Sequence, residues 1–143
     1  MSDVRALTVP APTVASGGPV NRRLVSRVAS GMTLDDYQVH ARSTALYPQA
    51  ARVLYPTLKL AGEAGEVAEK LGKMMRDEGY LPGASLSSAQ LDALAKELGD
   101  VLWYVANLAA DLGLSLEDVG QRNLDKLASR KERGVIHGSG DDR

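Results

Sequence analysis

Glu63 with Glu66, and Glu97 with Asp100, form two acid pairs, each spaced three residues apart. On a helix that turns by 100° per residue, the members of each pair occupy adjoining lanes of one face. If the two helices that carry them pack antiparallel through their apolar sides, the pairs meet at a single seam. Carboxylates gathered so closely repel one another and call for either protonation or bound cations. Oxygen-only ligands without histidine favour magnesium, with manganese as a substitute, over zinc or copper. Asp100 is the only charged member of the run from Leu98 to Ala110, which singles it out as a functional intrusion.

A solvated helix face is the plainer account, because Glu and Lys at this spacing commonly pair on surfaces. Glu66 with Lys70, and Glu69 with Lys73, fit that account. Two pairs on neighbouring helices favour a site. A di-iron bundle is the nearest chemical rival, but it uses Glu-x-x-His, and neither glutamate pair is followed by histidine.

The elements that must position these acids can be read from the caps and apolar periodicity. Thr33 with Asp36 matches a capping box and opens a first helix, with Leu34, Tyr37, Gln38, Ala41 and Ala45 at helical spacing until Pro48. Pro56 and Thr57 open a second, with Leu60, Ala64, Val67, Leu71 and Met74 on one face, ended by Gly79, Pro82 and Gly83. Ser87 with Gln90 starts a third, whose stripe runs from Leu91 to Ala109 and stops near Gly113. Ser115 with Asp118 caps a fourth, which runs to about Arg133 with Leu116, Val119 and Leu127 on its buried side. Strand patterns are absent, so the sequence predicts an all-α fold resembling a four-helix bundle over residues 32–134. Residues 1–31 read as a flexible arm and 135–143 as a glycine-rich tail.

With 143 residues and 44% hydrophobic content, the chain supports one domain with its own core. Seventeen Lys plus Arg against 18 Asp plus Glu give a net charge of -1, which predicts no stable nucleic-acid binding. Absence of cysteine removes disulfides, thiolate metal sites and cysteine nucleophiles, and only His40 and His137 offer imidazole. No apolar run approaches the ~18 residues needed to span a bilayer. Pro10, Pro12 and Pro19 break any signal-peptide core, so the expected location is the cytoplasm. Arg22 and Arg23 precede a short amphipathic stretch that Gly31 ends, consistent with a leader arm and not a targeting helix.

Two segments carry a family resemblance. Leu60-Ala61-Gly62-Glu63-Ala64-Gly65-Glu66-Val67-Ala68-Glu69-Lys70 and Lys96-Glu97-Leu98-Gly99-Asp100-Val101-Leu102-Trp103-Tyr104 resemble the ExxE and ExxD motifs of MazG-like pyrophosphohydrolases. The likeness extends through Tyr37 and Gln38, through Asn123, Lys126 and Arg130, and into the ending from Gly138 to Arg143, so it covers the chain from about Met32 onward. It implies hydrolysis of a nucleoside triphosphate to the monophosphate and pyrophosphate, in nucleotide-pool house-cleaning. It also implies magnesium held by Glu63, Glu66, Glu97 and Asp100, and a homodimer or homotetramer. On the same ground Glu63 or Glu66 positions or deprotonates the attacking water. The stretch between the motifs is long for the family and includes a loop from Gly79 to Ser88.

Asn123 falls between Val119 and Leu127 on the fourth helix, with Lys126 and Arg130 flanking it. An amide beside cations suits a polyphosphate or its ribose, and it equally suits an amide satisfied within a bundle. Tyr104, one turn beyond Asp100, places an aromatic ring near the acids for stacking on a base, with Gln38, His40 and Tyr37 as the opposite wall. Trp103 and Tyr47 fit a core or interface role as well. A non-enzymatic helical binding module, and a MazG-like hydrolase of alarmone nucleotides, are the competing functions.

Overall fold

The computed structural model describes residues 31–137. Residues 32–137 lie within one compact unit. The arm expected over 1–31 lies outside the described residues apart from Gly31, and only 135–137 of the expected tail are described. The described elements are α1 (Leu34–Ser43), a 3₁₀ turn (Gln49–Ala51), α2 (Leu54–Asp77), α3 (Ser88–Asp111) and α4 (Leu116–Glu132). Among the described residues no strand occurs, and no helix is long and apolar enough to cross a membrane.

The caps are those the sequence dictates. Thr33 accepts from the Asp36 amide while Asp36 accepts from the Thr33 amide, each at 3.0 Å. Ser87 and Gln90 repeat this capping box at α3. Each box satisfies amides that the first helical turn leaves without partners. Gly113 (φ 72°) and Gly134 (φ 68°) take the left-handed conformation that closes α3 and α4. Leu114 donates to the Ala109 carbonyl and Val135 to that of Arg130, both at 2.9 Å, as in a Schellman ending.

The entry to α2 differs from its sequence pattern. The helix starts at Leu54, ahead of Pro56, and follows a tight turn at Val53 (φ 66°, ψ -54°), closed by the Leu54 amide on the Arg52 carbonyl at 2.8 Å. That is γ-turn geometry, strained for a β-branched residue. Asp111 holds it: the Val53 amide donates to its Oδ2 at 3.2 Å, the Tyr47 hydroxyl donates to the same oxygen at 2.7 Å, and Arg42 Nη2 lies 2.8 Å from Oδ1. Burial pushes the Asp111 carboxyl up, but Tyr47, Val53, Arg42 and Arg52 together hold it below its usual value.

Helices α2 and α3 form an antiparallel hairpin, with α1 against α3 and α4 touching both α1 and α3. The small core joins Ala41, Ala106, Ala109 and Leu116, with Tyr37, Trp103 and Val105 packed on it. The starts of α1 and α4 interlock: Glu117 donates its amide to Asp35 Oδ1 at 3.0 Å, and Leu34 donates its amide to Glu117 Oε2 at 3.2 Å. Gly120 permits this approach, since a Cβ there would lie 3.2 Å from Leu34 Cδ1.

The stripe expected to bury Leu127 and Asn123 on α4 is not enclosed. Leu124, Leu127 and Asn123 are exposed, because α4 meets the rest of the fold mainly through its first turns and Arg130. Leu58 and Met75 on α2, and Leu91, Leu98 and Leu102 on α3, are likewise exposed.

Candidate active site

Antiparallel packing of α2 on α3 brings three of the four predicted acids together. One carboxylate oxygen from each of Glu63, Glu66 and Glu97 lies within 4.8 Å of the others. Glu63 and Glu97 are buried, at 8% and 9% exposure, while Glu66 is open. Burial of an ionised acid is costly unless it is paired. Each buried acid has a lysine: Lys59 Nζ stands 3.0 Å from Glu63 Oε1, and Lys70 Nζ 3.1 Å from Glu97 Oε1. Lys70 thus bridges to α3 instead of pairing along α2 with Glu66, whereas Glu69 does pair with Lys73, at 2.7 Å. The Glu63 carboxylate holds the Lys59 ammonium above its ordinary value.

Asp100 stands outside that group of three and is exposed, as are its neighbours Leu98, Gly99 and Leu102. Its charge reaches Tyr37 on α1, whose phenol is raised first by burial and then by Asp100. The acid of α3 with a fully buried side chain is Asp111, at the helix's last residue, where Arg42, Tyr47 and the Val53 amide surround it.

Three clustered carboxylates, two of them buried and none accompanied by histidine or cysteine, are a donor set for a hard divalent cation. Each buried glutamate has its Oε1 on a lysine.

Tyr104 lies at the Glu63 end of the site. Burial, then the Tyr55 hydroxyl, push its phenol up to about 12. Its ring centre is 5.8 Å from Lys59 Nζ and 6.2 Å from the Tyr55 ring. The other wall proposed for the base differs from expectation. The Gln38 amide is committed to backbone: Nε2 donates to the Ala106 and Leu114 carbonyls at 3.1 and 3.0 Å, and Oε1 accepts from Leu116 at 3.2 Å. Gln38 therefore ties α1 to the α3–α4 junction. His40 is exposed on α1.

Asn123 and Lys126, with Arg122 and Asp118, line an open cavity of about 450 Å³ on α4 that none of the four acids borders. Arg130, by contrast, is buried, beside Leu127 and Ile136. The residues that sequence reasoning missed are Asp111, Arg42 and Tyr55. Asp111 carried a signal, as the charge that ends the same apolar run in which Asp100 was noticed.

Helical architecture and acidic donor set together define an all-α protein with a site suited to a hard metal ion. The chain belongs to the MazG nucleotide pyrophosphohydrolase domain family, whose model matches residues 55–135 and so includes both acid pairs. It is 48% identical over 118 residues to Gene 37 protein of Mycobacterium phage L5, covering 78% of this chain and 100% of that protein. No solved structure matches significantly. Family membership implies nucleotide pyrophosphohydrolase activity.

Proposed function

We propose that this protein hydrolyses a nucleoside or deoxynucleoside triphosphate to the monophosphate and pyrophosphate, with magnesium as cofactor and nucleotide-pool house-cleaning as its role. The observation that carries the reading is the approach of Glu63, Glu66 and Glu97 to within 4.8 Å across the hairpin of a MazG-family chain. Magnesium, when bound, would offset the charge on phosphate oxygens and acidify water. Glu63 and Glu97, fixed by burial and by their lysines, are the anchoring ligands. Glu66, the open member, has the access to accept a proton from water, and Asp100 adds a fourth acid three residues beyond Glu97. Lys59 along α2 and Lys70 across the hairpin pair with the buried acids and orient them.

We further assign the exposed Leu91, Leu98 and Leu102 stripe on α3 to contact with a second copy of the chain, because a core built mainly of alanines leaves this surface uncovered. The test of function is a magnesium-supplemented screen of canonical, modified and alarmone nucleotides that reads pyrophosphate and phosphate separately. Pyrophosphate released with the monophosphate supports the reading. Release of phosphate alone, or no turnover of any triphosphate, overturns it.

A further inference from the structure

Helix α2 carries Glu63, Glu66 and both lysines of the cluster, yet among the described residues none of its side chains joins the buried core, which is built from α1, α3 and α4. Its own buried residues are Pro56, Glu63 and Met74, and its main neighbour is α3. At one end of this hairpin the chain itself closes the pair through residues 78–87, and Gln90 Nε2 donates to Glu78 Oε2 at 2.7 Å. At the other end the chain enters from α1 and leaves toward α4. There, noncovalent contacts alone hold the start of α2 to the end of α3.

Asp111, the last residue of α3, makes such contacts with a side chain that is fully buried. Its Oδ2 accepts from the Val53 amide, immediately before α2, at 3.2 Å and from the Tyr47 hydroxyl at 2.7 Å. Its Oδ1 lies 2.8 Å from Arg42 Nη2 and 3.7 Å from Arg52 Nε. Arg42 Nη1 also donates to Oδ1 of the fully buried Asn107 at 3.4 Å. One acid of α3 thus grips α1, the connection that follows it and the first residues before α2. It also holds Val53 at a φ of 66°. Strain of this kind persists where the surrounding structure over-determines it, and it concentrates near functional sites.

Two routes run from Asp111 to the acids. Along the backbone, Glu63 stands ten residues after Val53 on α2, and Glu97 fourteen residues before Asp111 on α3. An α-helix transmits a displacement of its first turn over a length of about 15 Å, the rise of ten residues. The turn at Val53 therefore sets where on α3 the Glu63 carboxylate falls. Through side chains, Tyr47 stacks on Tyr55 with ring centres 5.2 Å apart, and Tyr55 meets Tyr104 at 6.2 Å. Lys59 Nζ lies 5.8 Å from the Tyr104 ring centre and 3.0 Å from Glu63 Oε1.

We propose that Asp111 is a positioning residue for the glutamate cluster: by fixing the start of α2 on the end of α3, it sets the register at which Glu63 and Glu66 meet Glu97. Asp111 acts through the helix and belongs to neither the metal site nor a substrate contact. The inference rests on the magnesium reading of the cluster for the identity of the ion. Magnesium demands ligand oxygens at about 2.1 Å in near-octahedral order. A slip of α2 by a single residue, about 1.5 Å along its axis, is enough to cost it a ligand.

The experiment compares the full-length parent with Asp111→Asn, which keeps the shape and removes the charge, and with Tyr47→Phe, which removes one bond to Asp111 and keeps the ring stack. Asp35→Asn, in the interlock of α1 with α4, is the control for lost stability alone. Magnesium chloride is titrated into each folded protein by calorimetry, and amide hydrogen exchange is read in chelator by mass spectrometry. Asp111→Asn should bind magnesium about tenfold more weakly, and Tyr47→Phe about threefold, as for outer partners that orient metal ligands. In both, exchange should quicken in the first turns of α2 ahead of α1 and α4. Asp35→Asn, which shares no partner with the acids, should keep the parent's magnesium affinity within about twofold. If Asp111→Asn does not fold, Tyr47→Phe decides the question alone. Parent-like magnesium affinity in these two variants, or exchange that rises equally in every helix, would overturn the positioning role. A parent that binds no magnesium, with α2 alone loosened in the Asp111→Asn protein, would instead defeat the magnesium reading and leave Asp111 as the residue that registers α2.

Discussion

Lys70 Nζ lies 3.1 Å from Glu97 Oε1, joining α2 to α3 at the centre of the acid cluster. The same lysine had an available partner one turn away on its own helix, Glu66, and that acid is left open. A cation from the protein thus stabilises Glu97, one of the two buried members of the cluster, and the exposed Glu66 remains accessible to metal and water.

Replacing Lys70 by Met should therefore expose the dependence of the hairpin on charge compensation. In chelator the variant should lose about 1 kcal/mol, a value limited by the exposure of the lysine. Added magnesium should raise its melting temperature more than it raises that of the parent. Thermal melts with and without magnesium measure this, and equal magnesium shifts would contradict the role given to Lys70.

Val53 offers a stability test remote from the acids. Its φ of 66° strains a β-branched residue, and with 38% of its surface exposed it has limited packing to lose. Val53→Gly should stabilise the fold by up to about 1 kcal/mol, as relief of strain exceeds the added freedom of the unfolded chain. Urea denaturation reads the change directly. A lower midpoint would show that the turn is not strained.

The pH dependence follows from the interlocked starts of α1 and α4. The Glu117 amide, then the Ser115 hydroxyl, hold the Asp35 carboxyl below its ordinary value of 3.8. A carboxyl depressed in the folded state contributes stability above its unfolded pKa, and that contribution disappears as pH falls through the folded pKa. Asp35→Asn should thus be less stable than the parent at pH 7, with the gap closing below pH ~4. Denaturation at the two pH values tests the sign, and a gap that widened on acidification would refute it.

If a second copy covers the α3 stripe, the parent protein is larger than a monomer at micromolar concentration. Leu98→Glu would place a charge in that contact and should shift the protein to monomer, with its helical circular dichroism retained. Light scattering decides the matter. A monomeric parent would remove the proposed interface.

Helix number, type and caps were legible in the sequence because they depend on local chemistry: Thr33, Ser87 and Ser115 accept from nearby amides whatever the tertiary fold. The convergence of Glu63, Glu66 and Glu97 was legible through their spacing and the apolar faces beside them. The network at Asp111 was not, because it joins Arg42, Tyr47 and Val53 from three segments that no local period connects. For the same reason Gln38 looked like a ligand contact, when its amide closes backbone groups 68 to 78 residues away. The apolar run around Asp100 did not by itself fix the burial of that acid: Leu98, Gly99 and Leu102 are exposed, while Val101 and Trp103 are half-buried.

The clustered glutamates are proposed to perform metal-dependent release of pyrophosphate. The most direct measurement is turnover of a triphosphate by Glu97→Gln, with magnesium and chelator arms and a thermal melt to verify folding. The parent should release equimolar monophosphate and pyrophosphate only when magnesium is present, and a folded Glu97→Gln protein should lose nearly all turnover. Undiminished turnover in that variant, or parent activity that persists in chelator, would contradict it.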